Sequence, residues 1–141
     1  MRGLLRGLTA AGLLLAAATA AAADFKIVVN ERNPNASLSR TEVSDLLLKK
    51  QARWSDGSSV VPVDQPRISA ARAAICLQIH RRSPEAVKNY WRQQIFSGRD
   101  LPPIEKASDD QVVAFVRANP GAIGYVSESA ATAGVRVVAV E

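Results

Sequence analysis

The chain is short of the residue types on which most site chemistry depends. It has one cysteine, Cys76, and one histidine, His80. A lone cysteine excludes an internal disulfide. Cys76 and His80 stand four residues apart, so they can share a helix face, but no further Cys or His exists to complete a zinc site. Cys76 lies among Ile75, Leu77 and Ile79 and reads as a core residue. No Gly-x-Ser-x-Gly turn accompanies His80, and its neighbours Arg81 and Arg82 lower its basicity. Without a base, nucleophile and orienting group in sight, catalysis is not expected. The sequence also lacks internal repeats and, past its first residues, low-complexity tracts. Aromatics make up 5% of it; Trp54, Tyr90, Trp91 and Tyr125 read as packing residues.

It has one long apolar run, Leu8 to Ala18, interrupted by Thr9 and Gly12. The run is Ala-rich and short beside the ~20 apolar residues that a membrane span needs. Arg2 and Arg6 precede it, and Ala21-Ala22-Ala23 follows. That order of a basic start, an apolar middle and small residues is a secretory signal, expected over residues 1–23. No cysteine stands at the cleavage site, so a lipoprotein anchor is not expected. Cleavage before Asp24 leaves 118 of the 141 residues as one domain, 24–141. A domain of that size buries roughly two-thirds of its unfolded surface without staples. An oxidising compartment permits disulfides but does not demand them. The signal carries two of the 18 basic residues and none of the 13 acidic ones, so the mature charge is +3. That mild positive charge suits an anionic small molecule or an anionic surface. Nucleic acid is not expected of a chain that leaves the cytoplasm, and no integral membrane segment remains after cleavage.

Along the mature chain, Phe25 to Val29 is a β-branched run and predicts a strand. Asn30 to Ser37 is polar, holds Pro34 and predicts a loop. A helix starts at Ser39. Glu42 completes a capping box with Ser39, and Leu38 can staple to Val43. Val43, Leu46 and Leu47 follow at helical spacing, and the helix should end near Lys49 and Lys50. Trp54 to Ser58 is a turn. Val60 to Val63 predicts a strand whose Pro62 implies a sheet edge or a strand end. Asp64 to Ser69 is a loop, and a helix is expected from Ser69 to His80. Ser83 caps the next helix, with Pro84 at its first position and Val87, Tyr90, Trp91 and Ile95 as its apolar face. It stops at Ser97-Gly98. Arg99 to Ala107 reads as a loop. Ser108 and Gln111 form a second capping box, ahead of Val112, Phe115 and Val116. Asn119-Pro120-Gly121 ends that helix. Ala122 to Val126 and Val135 to Val140 predict the last strands, joined by a short helical or irregular link. Strands alternating with helices imply an α/β domain around a small mixed sheet of about four strands.

Several segments in this order carry a family resemblance. They are Val28-Val29-Asn30, Leu38-Ser39-x-x-Glu42-Val43-x-Asp45-Leu46-Leu47, Trp54-x-x-Gly57, Val61-Pro62-Val63, Tyr90-Trp91, Ile95-Phe96-x-Gly98, Pro102-Pro103 and Pro120-Gly121-Ala122-Ile123-Gly124-Tyr125-Val126. Together they resemble the phosphate-binding subunit of ABC importers, in the type II periplasmic binding protein superfamily. The resemblance spans nearly all of the mature chain. It implies the fold of a single lobe, because those subunits have two lobes with the ligand between them and this chain has about half their length. It also implies a periplasmic, non-enzymatic protein with no cofactor.

In the resembled family, an Arg and a Ser-Gly-Thr run ahead of a long helix grip phosphate. A helix N-terminus presents free N–H groups and partial positive charge, and an Arg fork fits a tetraoxyanion. The matching stretch here is Arg67-Ile68-Ser69-Ala70-Ala71-Arg72. Arg67 and Ser69 take the first two roles, though Arg67 lies closer to the serine than in the family pattern. Ala70 and Ala71 stand for the Gly and Thr; their amides can donate, but the Thr hydroxyl is lost. Arg72 is positioned to compensate. The plainer reading makes Ser69 an N-cap and both arginines solvated. Arg81, Arg82, Lys88, Arg92 and Arg99 form a basic cluster that reads as solvated surface, or as a contact with acidic lipid headgroups or a protein partner.

Two functions follow. One is a solute-binding-type module taking a small oxyanion such as phosphate at the Ser69 helix start, its missing half restored by a homodimer. The other is a non-catalytic interaction module that kept the fold, lost the ligand and docks on an envelope protein partner.

Overall fold

The computed structural model describes residues 25–141, so the signal segment expected over residues 1–23 lies outside the described residues. The elements are β1 (Lys26–Asn30), β2 (Ser37–Leu38), α1 (Arg40–Leu47), β3 (Val61–Asp64), α2 (Ala70–Ala74), a π-helical turn (Ile75–Ile79), α3 (Pro84–Phe96), β4 (Ile104–Glu105), α4 (Asp109–Ala118), β5 (Ala122–Val126) and β6 (Val135–Val140). The six strands form one mixed sheet in the order β2-β6-β1-β5-β3-β4. β1 is antiparallel to both β5 and β6, whereas β3 runs parallel to β5 and β4.

The α/β single-lobe class holds, but the sheet is larger than the four strands expected. The two additions, β2 and β4, have two residues each. β2 lies in the predicted 30–37 loop and its exit, where Ser37 and Leu38 pair with Ala139 and Val140. β4 lies in the predicted 99–107 loop, where Ile104 and Glu105 pair with Val63 and Asp64. Two residues carry no periodicity, so nothing local marks them. β4 also explains Pro62. β3 is flanked on both sides, yet β4 reaches only Val63 and Asp64, so no bond to β4 calls on the missing proline N–H. On the other side, Val61 supplies the amide, to the Gly121 carbonyl at 2.9 Å.

β1 and β5 are apolar almost without a break because both of their faces are covered. Ile27 and Val29, with Ile123 and Tyr125, face a core shared with Val43, Leu46 and Leu47 of α1 and with Ala71, Ala74, Ile75 and Ile79. Val28, Ala122 and Val126 face the opposite way, against Val63 and against Val112, Val113 and Val116 of α4. Gly124 sits where these layers come closest. A Cβ there would run into the Val63 side chain and stand 2.9 Å from Val112 Cγ1.

The serine caps follow the sequence expectations, but among the described residues no Glu42 side-chain bond returns to the Ser39 amide to complete the predicted box. Ser39, Ser69, Ser83 and Ser108 each accept the N–H of the residue three further on. Gln111 reaches back to the amide of Ala107 rather than to that of Ser108. Leu38 and Val43 join the same core, as a staple requires. Two corrections concern helix bodies. The Ser69 helix does not run uniformly to His80: beyond Ala74 it widens into the π-helical turn. That turn closes with the Arg82 N–H on the Cys76 carbonyl at 3.0 Å and Arg81 in the left-handed region, φ 52°. The apolar face of α3 is also shorter than predicted. Val87 and Trp91 are buried against Leu48 and Cys76, with Tyr90 beside them, but Ile95 is half exposed.

Candidate functional site

The parallel strands β3 and β5 end side by side, and the loop after β3 leads into α2. α4 opens against the same ends. In open α/β sheets the carboxyl ends of such strands, where connections diverge, are the usual ligand crevice. Ser69 stands there as the N-cap of α2. Its hydroxyl accepts the Arg72 N–H at 3.2 Å and donates to Gln65 Oε1 at 2.7 Å.

Gln65 is the hub of the cluster and is buried. Its side-chain amide donates to the Tyr125 carbonyl and to Asp109 Oδ1, both at 2.9 Å. Its main-chain N–H meets the Tyr125 hydroxyl at 3.1 Å, and its carbonyl accepts from the Arg72 guanidinium at 2.7 Å. The Tyr125 hydroxyl donates to the Asp64 carboxylate. Burial, and then the Asp64 charge, push the Tyr125 pKa far up, so the phenol keeps its proton. Burial raises the Asp64 pKa and outweighs the opposing pull of Arg72 and the Tyr125 hydrogen bond.

Arg72 is fully engaged. Besides the Gln65 carbonyl it holds Glu105 at 3.0 Å and lies 3.8 Å from Asp64. At the start of α4, Asp109 accepts from the Ser127 N–H at 3.1 Å, from the Ser127 hydroxyl and from Gln65. Burial would raise its pKa, but those donors, the Ser127 hydroxyl first, hold it below the usual carboxylate range. Asp109 thus fills a ring of donors with the protein's own negative charge. Among the described residues no buried side-chain polar atom is left without a partner.

The structure therefore brings together Ser69 and Arg72 of the five residues singled out, but spends Arg72 on two carboxylates and a carbonyl. Arg67 and Ala70 are exposed and Ala71 is buried. The N–H groups of Ala70 and Ala71, at the start of α2, have no acceptor among the described residues. Sequence reasoning missed Gln65, Asp64, Glu105, Asp109 and Ser127. Asp109 carries one local signal, its place as an acid in the first turn of α4. The rest become neighbours only when β3 pairs with β5 on one side and β4 on the other.

His80 and Cys76 lie beside this cluster: with Asp64, Arg72 and Tyr125 they line one small pocket. Cys76 is buried, and His80 Nδ1 lies 2.8 Å from the Ser44 hydroxyl. Among the described residues no helix is long and apolar enough to cross a membrane.

No protein-family model matches the sequence, and no curated protein is significantly similar to it. Solved structures do share its fold, proteins of phosphate binding and transport among them. A phosphate ABC transporter substrate-binding protein of Clostridium perfringens, solved with bound phosphate, aligns over 83% of this chain and 44% of its own, with a TM-score of 0.67 and 19% identity. An ABC-type phosphate transport receptor of Vibrio cholerae aligns over 83% of this chain and 46% of its own, with a TM-score of 0.65 and 16% identity. PstS of Borrelia burgdorferi aligns over 84% and 47%, with a TM-score of 0.67 and 13% identity. The chain thus spans less than half the length of the structures it matches. Its fold is that of a single lobe.

Proposed function

We propose that the chain is an exported, non-enzymatic binding module of the solute-binding type, acting in the periplasm after loss of residues 1–23. The observation that carries this reading is the match itself: nearly all of this chain, under half of a phosphate-binding protein, with a polar cluster at the strand ends where one lobe would contribute to a cleft. In its finer form, a small oxyanion such as phosphate rests on the Ala70 and Ala71 amides with Arg67 beside them. A second surface, from a second copy or an envelope protein, completes the site. Ser69 orders the loop and Arg72 holds it to Asp64 and Glu105. With Arg72 already neutralised, free donors are few. The affinity of the lobe alone is expected at roughly the millimolar level, about 4 kcal/mol.

A second reading is favoured by the same saturation. Asp109 holds the donors of Ser127 and Gln65, and two carboxylates, Asp64 and Glu105, hold the partly buried Arg72. That arrangement suits a lobe that has closed its ligand site and now docks on a protein partner. Titration calorimetry of the chain from Asp24 to Glu141 with phosphate at low salt separates the two. A Ser69→Asp variant, which keeps an N-cap but places a like charge at the site, runs beside it. Heat in the wild type that the variant abolishes supports the oxyanion site. A folded wild type that gives no heat at millimolar phosphate leaves the docking module.

A further inference from the structure

The outer face of α3 is built unlike the rest of the helix. Asn89, Arg92, Gln93 and Phe96 recur at the spacing of one helix stripe, and with Ile95 they line an open hollow of about 550 Å³. Phe96 is 95% exposed, Ile95 is 49% exposed, and Leu101, just past the helix stop, is 66% exposed. Val87 and Trp91 anchor the opposite face in the core, so the exposed face is held in place. Cations surround the apolar tip: Lys88 and Arg92 on the helix, Arg99 just after it. None of the three forms an ion pair among the described residues, and the nearby Asp100 is held by Lys49 at 3.6 Å. The one acid of α3, Glu85, lies in the first turn, at the far end from Phe96.

From this juxtaposition we propose that the C-terminal end of α3 is a contact for anionic membrane lipids, with Phe96 and Ile95 entering the headgroup boundary and Lys88, Arg92 and Arg99 on the phosphates. A phenylalanine exposes at most about 250 Å², whereas a stable protein interface takes about 800 Å² from each partner. An apolar tip of Phe96, Ile95 and Leu101 is small beside such an interface and suits shallow insertion at a headgroup boundary. Charge complementarity fixes the lipid class, because unpaired cations around an apolar wedge gain from a negative surface and little from a neutral one.

The test is co-sedimentation of the chain from Asp24 to Glu141 with vesicles of phosphatidylglycerol and phosphatidylcholine, against vesicles of phosphatidylcholine alone. Binding is expected on the anionic vesicles, weakened by salt. Arg92→Gln and Arg99→Gln should each weaken it by about 5-fold. Phe96→Ser should weaken it by about 10-fold or more. Both kinds of substitution are on the surface, and circular dichroism confirms that the variants fold. Absence of binding by folded wild-type protein overturns the proposal, as does equal binding by Phe96→Ser. A concentration-dependent dimer that Phe96→Ser abolishes also overturns it, and gives the face to a second copy instead.

Discussion

His80 should make this protein lose stability in mild acid. The ring is tucked behind α1, with Nδ1 on the Ser44 hydroxyl. Burial first, and then the charges of Arg82, Lys50, Arg40 and Arg72, push its pKa down from 6.5 to about 4. The folded state therefore binds the proton less readily than the unfolded chain does. As the pH falls below 6.5, the unfolded chain takes up a proton that the folded state refuses, so stability falls until the folded ring itself titrates near 4. The full difference is about 3 kcal/mol, and about 2.5 kcal/mol of it is lost between pH ~7.5 and pH ~4.5. The measurement is urea unfolding at those two pH values for the wild type and for His80→Gln, which keeps a polar contact with Ser44 but cannot titrate. Carboxylates contribute equally to both proteins, so the difference between their pH slopes isolates the histidine. The wild type should lose about 2.5 kcal/mol more than the variant. Parallel slopes, or a ring that titrates near 6.5 by NMR in the folded protein, would refute the reasoning.

Gly124→Ala should destabilise the fold by roughly 1–3 kcal/mol, because the new methyl meets Val63 and Val112 between two packed layers. A thermal midpoint equal to that of the wild type would show that the layers can part. The two carboxylates on Arg72 should differ sharply. Asp64→Ala removes the more buried one, leaves the buried Tyr125 hydroxyl and Arg72 without that acceptor, and should cost about 3 kcal/mol, whereas Glu105→Gln, whose side chain is half exposed, should cost less than about 1 kcal/mol. Denaturant midpoints for the pair would reverse that order if Glu105 were the true anchor.

Much of the architecture was legible locally. The serine caps, the staple at Leu38 and Val43, the β-branched run at Phe25 to Val29 and the apolar run at Ala122 to Val126 each state their element within a few residues. What escaped depends on distant neighbours. β2 exists because Ala139 and Val140 run beside it, and β4 because the end of β3 does. Ile95 fits the apolar period of α3, but the helix outruns the core that Leu48 and Cys76 provide, so period alone placed it wrongly. The π-helical widening after Ala74 has no period of its own to betray it. At the candidate site, Ser69 was readable as a cap and the Arg67-to-Arg72 stretch as a resemblance. The fate of Arg72 was not, because Asp64, Glu105 and Gln65 meet it only after the sheet has formed.

The position of β1 has a consequence for how the chain acquires its shape. The first strand of the described chain lies in the middle of the sheet, between β5 and the last strand, with Ile27 opposite both Tyr125 and Val138. Its two partners are made near the end of the chain. No N-terminal stretch can complete the sheet's centre by itself, so folding cannot proceed vectorially from the first residue. Contacts this distant in sequence also slow the closing step. A chain so arranged keeps the middle of its sheet open until β5 and β6 are available to pair with β1.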